Sequence, residues 1–436
     1  MKDDLPYILV LFSLFIVSYN RGFFTFTSFI LLLSIIIILI YLYLRPIKLL
    51  KTDLISKVKI LFLTSFILFL YNSSGIYQSK VLPSVMINIL SLILFPFVLV
   101  FFKTIHGRFI KSYLFPLFIL FALVLRILMI SASPNPRIDV YTLLKESPLK
   151  LMAGQNPYQA VYSPVYANTI TDNLTYWPYS FLLQIPWVIL FNDPRVFLLI
   201  SDILAAILLY MIGRKTSFAA LFTLIYLFRP NSLFIIEQSW LTPLLSLLTY
   251  LIFFSLIKNK FWLTGIASAI ISGVQPIFLV FLPLTFPLWK KKADLPVVFL
   301  LFFVPVVSFF LFWNSVVFIE KTILLHFKPI EEIKNVPVYL SLSLNTFYYF
   351  LRRKDIPLYI NIVILISTTS ILYFKKLAGG KNGIKYTTQT ALHLSVIFIY
   401  IFYFFFKQSF INHYYFAGSL LLLWITYLSL SFKEKS

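Results

Sequence analysis

Apolar runs of roughly 15 to 25 residues succeed one another from end to end of this chain, separated by short basic or proline-bearing turns. No other feature limits the fold as strongly. In hydrocarbon every backbone N–H and C=O must find its partner within the protein, and runs of this length can do so only as helices. Of the 436 residues, 60% are hydrophobic and 12% charged, and the mean hydropathy is +0.91. The apolar runs are therefore the body of the protein and not an anchor on a soluble domain. The expected fold is all-α, a polytopic integral membrane protein.

Cysteine is absent, which excludes disulfides and thiolate metal sites without assigning a compartment. The first run, 5–19, comes after Lys2, Asp3 and Asp4 and lacks a small-residue cleavage site, so it reads as a first spanning helix and not a signal peptide. The net charge of +22 does not describe a nucleic-acid surface. The basic residues fall in short clusters between apolar runs: 45–59, 103–111, 214–215, 258–260, 290–292, 375–385 and 433–435. Lysine and arginine kept on the cytoplasmic side set membrane topology in this way.

Placing those clusters inside threads the chain through the membrane about fourteen times, eleven at the fewest, with both termini inside. The expected spans are 5–19, 23–44, 60–77, 83–102, 112–132, 196–213, 217–236, 240–257, 261–275, 276–289, 295–319, 356–374, 386–406 and 412–431. The same rule makes 261–289 a hairpin broken near Gln275 and Pro276. It also sets 177–192, with Trp177, Trp187 and Pro186, in the outer interface or re-entering it. Two long outer segments remain, 133–195 and 320–355, and long ordered loops are where function concentrates. Residues 1–111 read as an N-terminal module of about four helices preceding a catalytic membrane domain, 112–436. Sequons at Asn72 and Asn173 fall outside in this topology.

No soluble-enzyme motif is present: no phosphate-cradling glycine loop, no H-E-x-x-H, no G-x-S-x-G. The four histidines, His106, His326, His393 and His413, lack metal-ligand spacing. The residue that stands out is Asp139, in R-I-D-V-Y just past the fifth expected span, heading the longest polar stretch of the chain. An acid there is costly and poorly explained by packing. One plain explanation is a helix cap, since V-Y-T-L-L-K-E-S after it could open a short amphipathic helix. The order of the segments after Asp139 adds weight to a functional role: that helix, then G-Q-N-P-Y, then Y-W-P-Y, then D-P-R opening the next span.

The segment I-D-V-Y-T-L-L-K-E-S-P-L-K-L-M-A-G-Q-N-P-Y (138–158) resembles the first outer loop of the GT-C membrane glycosyltransferases. It is most similar to their polyprenyl-phosphate-sugar-dependent, mannosyltransferase-like branch, where an acid precedes a helix and a G-x-N-P-Y turn. R-P-N-S-L-F-I-I-E-Q-S-W (229–240), L-T-G-I-A-S-A-I-I-S-G-V-Q-P (263–276) and F-K-Q-S-F-I-N-H-Y-Y-F (406–416) resemble later stretches of the family in the same order. The resemblance covers about residues 112–431. It implies a GT-C-like fold and transfer of a sugar, mannose in that branch, from a polyprenyl-phosphate donor to a hydroxyl acceptor on a glycan, lipid or protein. The reaction would run at the outer membrane face, with membrane lipids as surroundings and no nucleic acid involved. Two departures leave the sugar open: family members often carry lysine where Gln275 stands, and some pair two acids where this chain has Asp139 alone. They also leave open a divalent cation, magnesium or manganese; no residue here is assigned as a metal ligand.

The implied chemistry agrees with elementary reasoning. A phosphate leaves as a stable anion, so it needs cations and hydrogen-bond donors and not a general acid. The acceptor hydroxyl must lose a proton as it attacks, and one carboxylate suffices for that. A glycosidase, by contrast, needs two. Attack opposite the phosphate inverts the anomeric carbon. Asp139 is the expected base. Arg229, Arg137, Arg195, Lys407 and His413 are candidate donor-phosphate ligands, against the plain alternative of interface anchoring. Glu237, Gln238, Gln408, Tyr414, Asn156, Tyr158, Tyr176 and Trp177 are candidate substrate contacts. Asp202 could bind sugar or pair with an arginine, and Arg126 lies within a span with no partner visible in the sequence. Two other classes compete: an envelope glycan polymerase or ligase, which would lean on paired arginines, and a lipid or solute transporter, which would place ionisable residues mid-membrane in repeated, broken helices.

Overall fold

The computed structural model describes residues 5–16, 21–45, 51–104, 113–165, 171, 173–289, 293–328, 340–378 and 386–430, with backbone alone at 51–55, 104 and 378. Among them the secondary structure is helical, with two isolated β-bridges and no strand, as the apolar runs require. Seven helices are long and apolar enough to cross a membrane: Phe26–Leu44, Val81–Lys103, Phe115–Ala132, Arg195–Ile212, Asp294–Trp313, Leu358–Leu377 and Thr388–Phe405. The chain is thus built as an integral membrane protein is. The basic clusters at 290–292 and 433–435, and residues 329–339 of the second long segment, lie outside the described residues.

The remaining expected spans carry helices that are shorter or less apolar, such as Ser217–Leu227, Thr242–Ile257 and Ile411–Ser429. The expected span 217–236 breaks at Phe228, because Pro230 has no N–H to continue the helix and Asn231 takes a left-handed conformation (φ 64°). A short helix, Ser232–Glu237, comes next. The segment 177–192 is likewise two pieces, Tyr179–Leu182 and Ile185–Phe191. Its longer piece covers roughly 10 Å at 1.5 Å per residue, too little to cross a bilayer.

The 261–289 region turns back on itself. A Cβ added to Gly265 would sit 2.8 Å from the Leu295 carbonyl oxygen, so the helix Phe261–Ser272 starts level with the start of Asp294–Trp313. At roughly 3.6 Å per residue the stretch between Trp289 and Ala293 is too short to bring a continuing helix back to that level. The residues around Gly273 to Pro276 make the reversal, and Tyr179 docks on it by donating its N–H to the Gly273 carbonyl at 2.9 Å. The small residues Gly265, Ala267, Ser268, Ala269 and Ser272 on this helix are buried, which lets its neighbours approach closely.

Packing crosses residue 111 without a gap. Phe26–Leu44 lies against Thr388–Phe405, and Lys51–Tyr71 against Ser217–Leu227. Phe66 and Phe69 both meet the Phe228 ring, and Phe29 stacks on Phe404 at 5.3 Å. One continuous apolar core contains residues from both sides of that position.

Candidate active site

The amphipathic helix expected after Asp139 is present as Asp139–Met152. It buries Val140, Tyr141, Leu143, Leu144, Ser147 and Pro148, the spacing of one helix face, and packs on the broken 179–191 segment. Asp139 does not cap it. Ile138 holds the cap position, and Asp139 is the first helical residue, its Oδ1 accepting the Val140 N–H at 2.8 Å. Burial pushes the Asp139 carboxyl above its ordinary value, opposed by that N–H and its own. The helix ends at Gly154, whose positive φ of 74° lets Gln155 donate its N–H back to the Lys150 carbonyl at 2.9 Å.

The G-Q-N-P-Y turn works as a latch. The Asn156 Oδ1 accepts the Tyr158 N–H at 2.9 Å. The Tyr158 ring is fully buried against Phe181, Phe310 and Phe318. Its hydroxyl donates to the Tyr176 carbonyl at 2.9 Å and so fixes the backbone of Tyr176. Burial, and after it the charge of Asp139, push the Tyr176 phenol up.

Tyr176 and Trp177 also line a cleft of about 510 Å³. Its polar residues include Thr175, Tyr176, Gln275 and Gln408 from turns and Asn412 and His413 from the first turn of the helix Ile411–Ser429. Its apolar residues come largely from helices, among them Leu279, Val280, Ile362, Leu365 and Ile366. Leu279, Val280 and Ile366 are exposed. The Trp177 indole N–H is buried in this wall without a partner among the described residues.

The structure brings Tyr176, Trp177, Gln408 and His413 together around this cleft; Asp139 is not among its lining residues, and its charge acts on the Tyr176 phenol. His413 accepts the Phe410 N–H at its Nδ1, 3.2 Å away. Glu237 and Gln238 do not line the cleft. The Glu237 carboxylate accepts four hydrogen bonds: from the N–H of Ile76 at 2.7 Å, of Tyr77 at 2.8 Å, from Ser133 Oγ at 2.7 Å and from Gln238 Nε2 at 3.1 Å.

The cations are placed elsewhere. Arg195 is fully buried, pairs with Asp193 at 2.6 Å and donates to the Ser133 carbonyl at 2.7 Å, so it holds the end of the preceding span. Lys407 pairs with Asp355 at 3.2 Å and donates to the Lys328 carbonyl. Arg137 is exposed at the start of the loop. Arg229 is buried among rings, its guanidinium 3.1 Å above the Tyr415 ring centroid and its Nη2 2.6 Å from Ser419 Oγ. Arg126 finds its partner in Asp202 at 2.6 Å, and the Tyr226 hydroxyl donates to the same carboxylate at 2.6 Å. The Tyr414 hydroxyl donates to the Leu342 carbonyl and serves packing.

Among the described residues no three His, Asp or Glu side chains gather as a metal-holding group. The Glu237 carboxylate is taken up by its four protein donors. Sequence reasoning missed the turn 73–80, whose sign in the sequence is the polar N-S-S-G-I-Y-Q-S-K break within an otherwise apolar module. It also missed Asn412 and His326 in the cleft wall. Burial pushes the His326 imidazole down, which keeps it neutral. No family model matches this chain, and no curated protein matches it.

Proposed function

We propose that this chain is a GT-C-like membrane glycosyltransferase with about fourteen crossings, moving a sugar from a polyprenyl-phosphate donor to a hydroxyl acceptor at the extracytoplasmic face. The observation that carries the reading is the cleft itself, which combines apolar residues with Tyr176, Gln275, Gln408, Asn412 and His413, and whose Tyr176 feels the charge of Asp139. A lipid-linked sugar needs both halves of such a cleft, an apolar wall reachable from the bilayer for the tail and polar turns for the phosphate and sugar. Neutral donors supply the phosphate contacts: the amides of Gln275, Gln408 and Asn412, and an imidazole N–H of His413.

In the reaction the acceptor oxygen bonds to the anomeric carbon as the bond from that carbon to the donor phosphate oxygen breaks. The acceptor proton passes to Asp139, and polyprenyl phosphate leaves as its anion with inversion. A carboxyl raised by burial is a stronger base, which suits Asp139 to the proton transfer. The resemblance of residues 138–158 to the first outer loop of the family points the same way, as does the positive-inside threading for the face.

The test is transfer in vitro from radiolabelled polyprenyl-phosphate sugars, with purified protein and a native membrane-lipid extract as acceptor. Wild-type transfer, lost in Asp139→Asn, is the expected result. Equal transfer by both would remove Asp139 from the chemistry, and no transfer by wild type would sink the reading.

A further inference from the structure

Arg352, Arg353 and Lys354 are successive cations at the end of the helix Leu344–Arg352. Their side chains are exposed, and none meets an acid or any other partner among the described residues. The acid that follows them, Asp355, is paired with Lys407 at 3.2 Å. In the proposed threading the run lies on the extracytoplasmic side, where the retention of lysine and arginine by the cytoplasm does not account for it.

The helix that carries the run has a packed face and a free one. Asn345 and Thr346 are buried, Phe347 stacks on Phe29 at 4.8 Å, and Phe350 meets Phe24 at 5.5 Å. Tyr348, Leu351 and Arg352 are exposed, at the i, i+3, i+4 spacing of one helix face. A short helix with tyrosine, leucine and cations on its free face suits the headgroup layer of a bilayer.

Hydrogen bonds and an ion pair fix where this helix ends. Ile356 donates its N–H to Asn345 Oδ1 at 2.8 Å, which folds the chain beyond the run back onto the helix. Lys407, which holds Asp355, also donates to the Lys328 carbonyl at 3.1 Å and is flanked in sequence by Phe406 and Gln408 of the cleft wall. Leu358, another wall residue, follows Lys354 by four positions, within about 14 Å along the chain. The cations therefore sit at the rim of the cleft, whose lining among the described residues holds no lysine or arginine.

We infer that Arg352, Arg353 and Lys354 bind the headgroup phosphate of an anionic phospholipid, with Tyr348 and Leu351 against its glycerol and upper acyl chain. Unneutralised cations beside an apolar helix face favour an anion that is itself held in the membrane. A phosphate free in water would gain nothing from Tyr348 and Leu351. The inference needs only the membrane setting and stands apart from the glycosyltransferase reading.

The experiment titrates the purified full chain, in a neutral detergent, with phosphatidylglycerol and separately with phosphatidylcholine, and counts bound lipids by native mass spectrometry. Wild type should take up its first phosphatidylglycerol in preference to phosphatidylcholine. Arg352→Gln should weaken that first binding about fivefold, the usual worth of one cation at an anionic headgroup. Arg352→Gln, Arg353→Gln and Lys354→Gln together should weaken it about a hundredfold, while Arg352→Lys with Arg353→Lys should keep it. Because the side chains are exposed and unpaired, all these variants should unfold at the wild-type temperature in phosphatidylcholine. No preference in wild type overturns the inference, as does a preference that survives the triple substitution. An equal loss in Arg214→Gln with Lys215→Gln, an exposed pair at another helix end, would reduce the effect to net charge and overturn it as well. Displacement of the lipid by inorganic phosphate would show a plain anion site and overturn the lipid assignment.

Discussion

The carboxylate of Glu237 accepts the backbone N–H of Tyr77 at 2.8 Å, across 160 positions of sequence. Because Ile76, Ser133 and Gln238 donate to the same group, this buried acid ties the N-terminal helices, the end of the span before Asp139 and its own turn into one unit. A buried carboxylate satisfied on this scale acts as a structural joint.

Glu237→Gln should therefore destabilise the protein. The amide offers one acceptor oxygen and turns an NH2 group toward donors, leaving at least one buried N–H unmet at a cost of about 1–3 kcal/mol. Thermal unfolding in detergent reads this as a lowered midpoint; an unchanged midpoint would show that the joint carries no load.

Asp139→Asn should lower transfer by about 10²- to 10⁴-fold, the usual worth of a positioned base. Its fold should persist, since the carboxylate's one hydrogen bond from another residue is the Val140 N–H, which an amide oxygen can also accept. Radiolabelled transfer together with size-exclusion behaviour tests both halves.

The pH dependence is set by burial. Asp139 is held above its ordinary carboxyl value in the folded protein. A raised folded value means that its contribution to stability is full below the unfolded pKa, near 4, and is lost as pH rises through the folded one. At neutral pH Asp139→Asn should thus unfold no lower than wild type. Transfer needs the ionised base, so its acid limb should fall at an apparent pKa above about 4. A limb at or below that value would contradict the buried setting.

Arg195→Ala should be among the more damaging changes outside the site. It strands the partly buried Asp193 and frees the Ser133 carbonyl, which the guanidinium meets at 2.7 Å. Breaking one partner of a buried pair costs about 3–5 kcal/mol. Poor recovery of folded protein is the expected readout, whereas a donor-phosphate role alone would leave yield intact and raise the donor requirement.

Tyr158→Phe should cost about 1 kcal/mol by leaving the Tyr176 carbonyl without its donor. It should also slow transfer, because Tyr176 lines the cleft. A stability loss with full activity would detach the latch from the chemistry.

Much of the scaffold was legible one segment at a time. Runs of apolar residues force helices in lipid, a period of three to four marks the buried face of Asp139–Met152, and Pro186 marks a break, all of which depend on neighbours within a few residues, whereas the break at Pro230 fell within an expected span. The 138–158 loop stood out too, because a lone acid among apolar runs is conspicuous. What sequence could not decide was the use of each polar side chain. Arg195, Lys407 and Tyr414 read as ligands but meet Asp193, Asp355 and the Leu342 carbonyl. Asn156 and Tyr158 read as substrate contacts but hold the turn. The docking of the turn at Tyr77 depends on Glu237, and a hydrogen bond between residues so far apart in the chain exists only once the helices between them have packed.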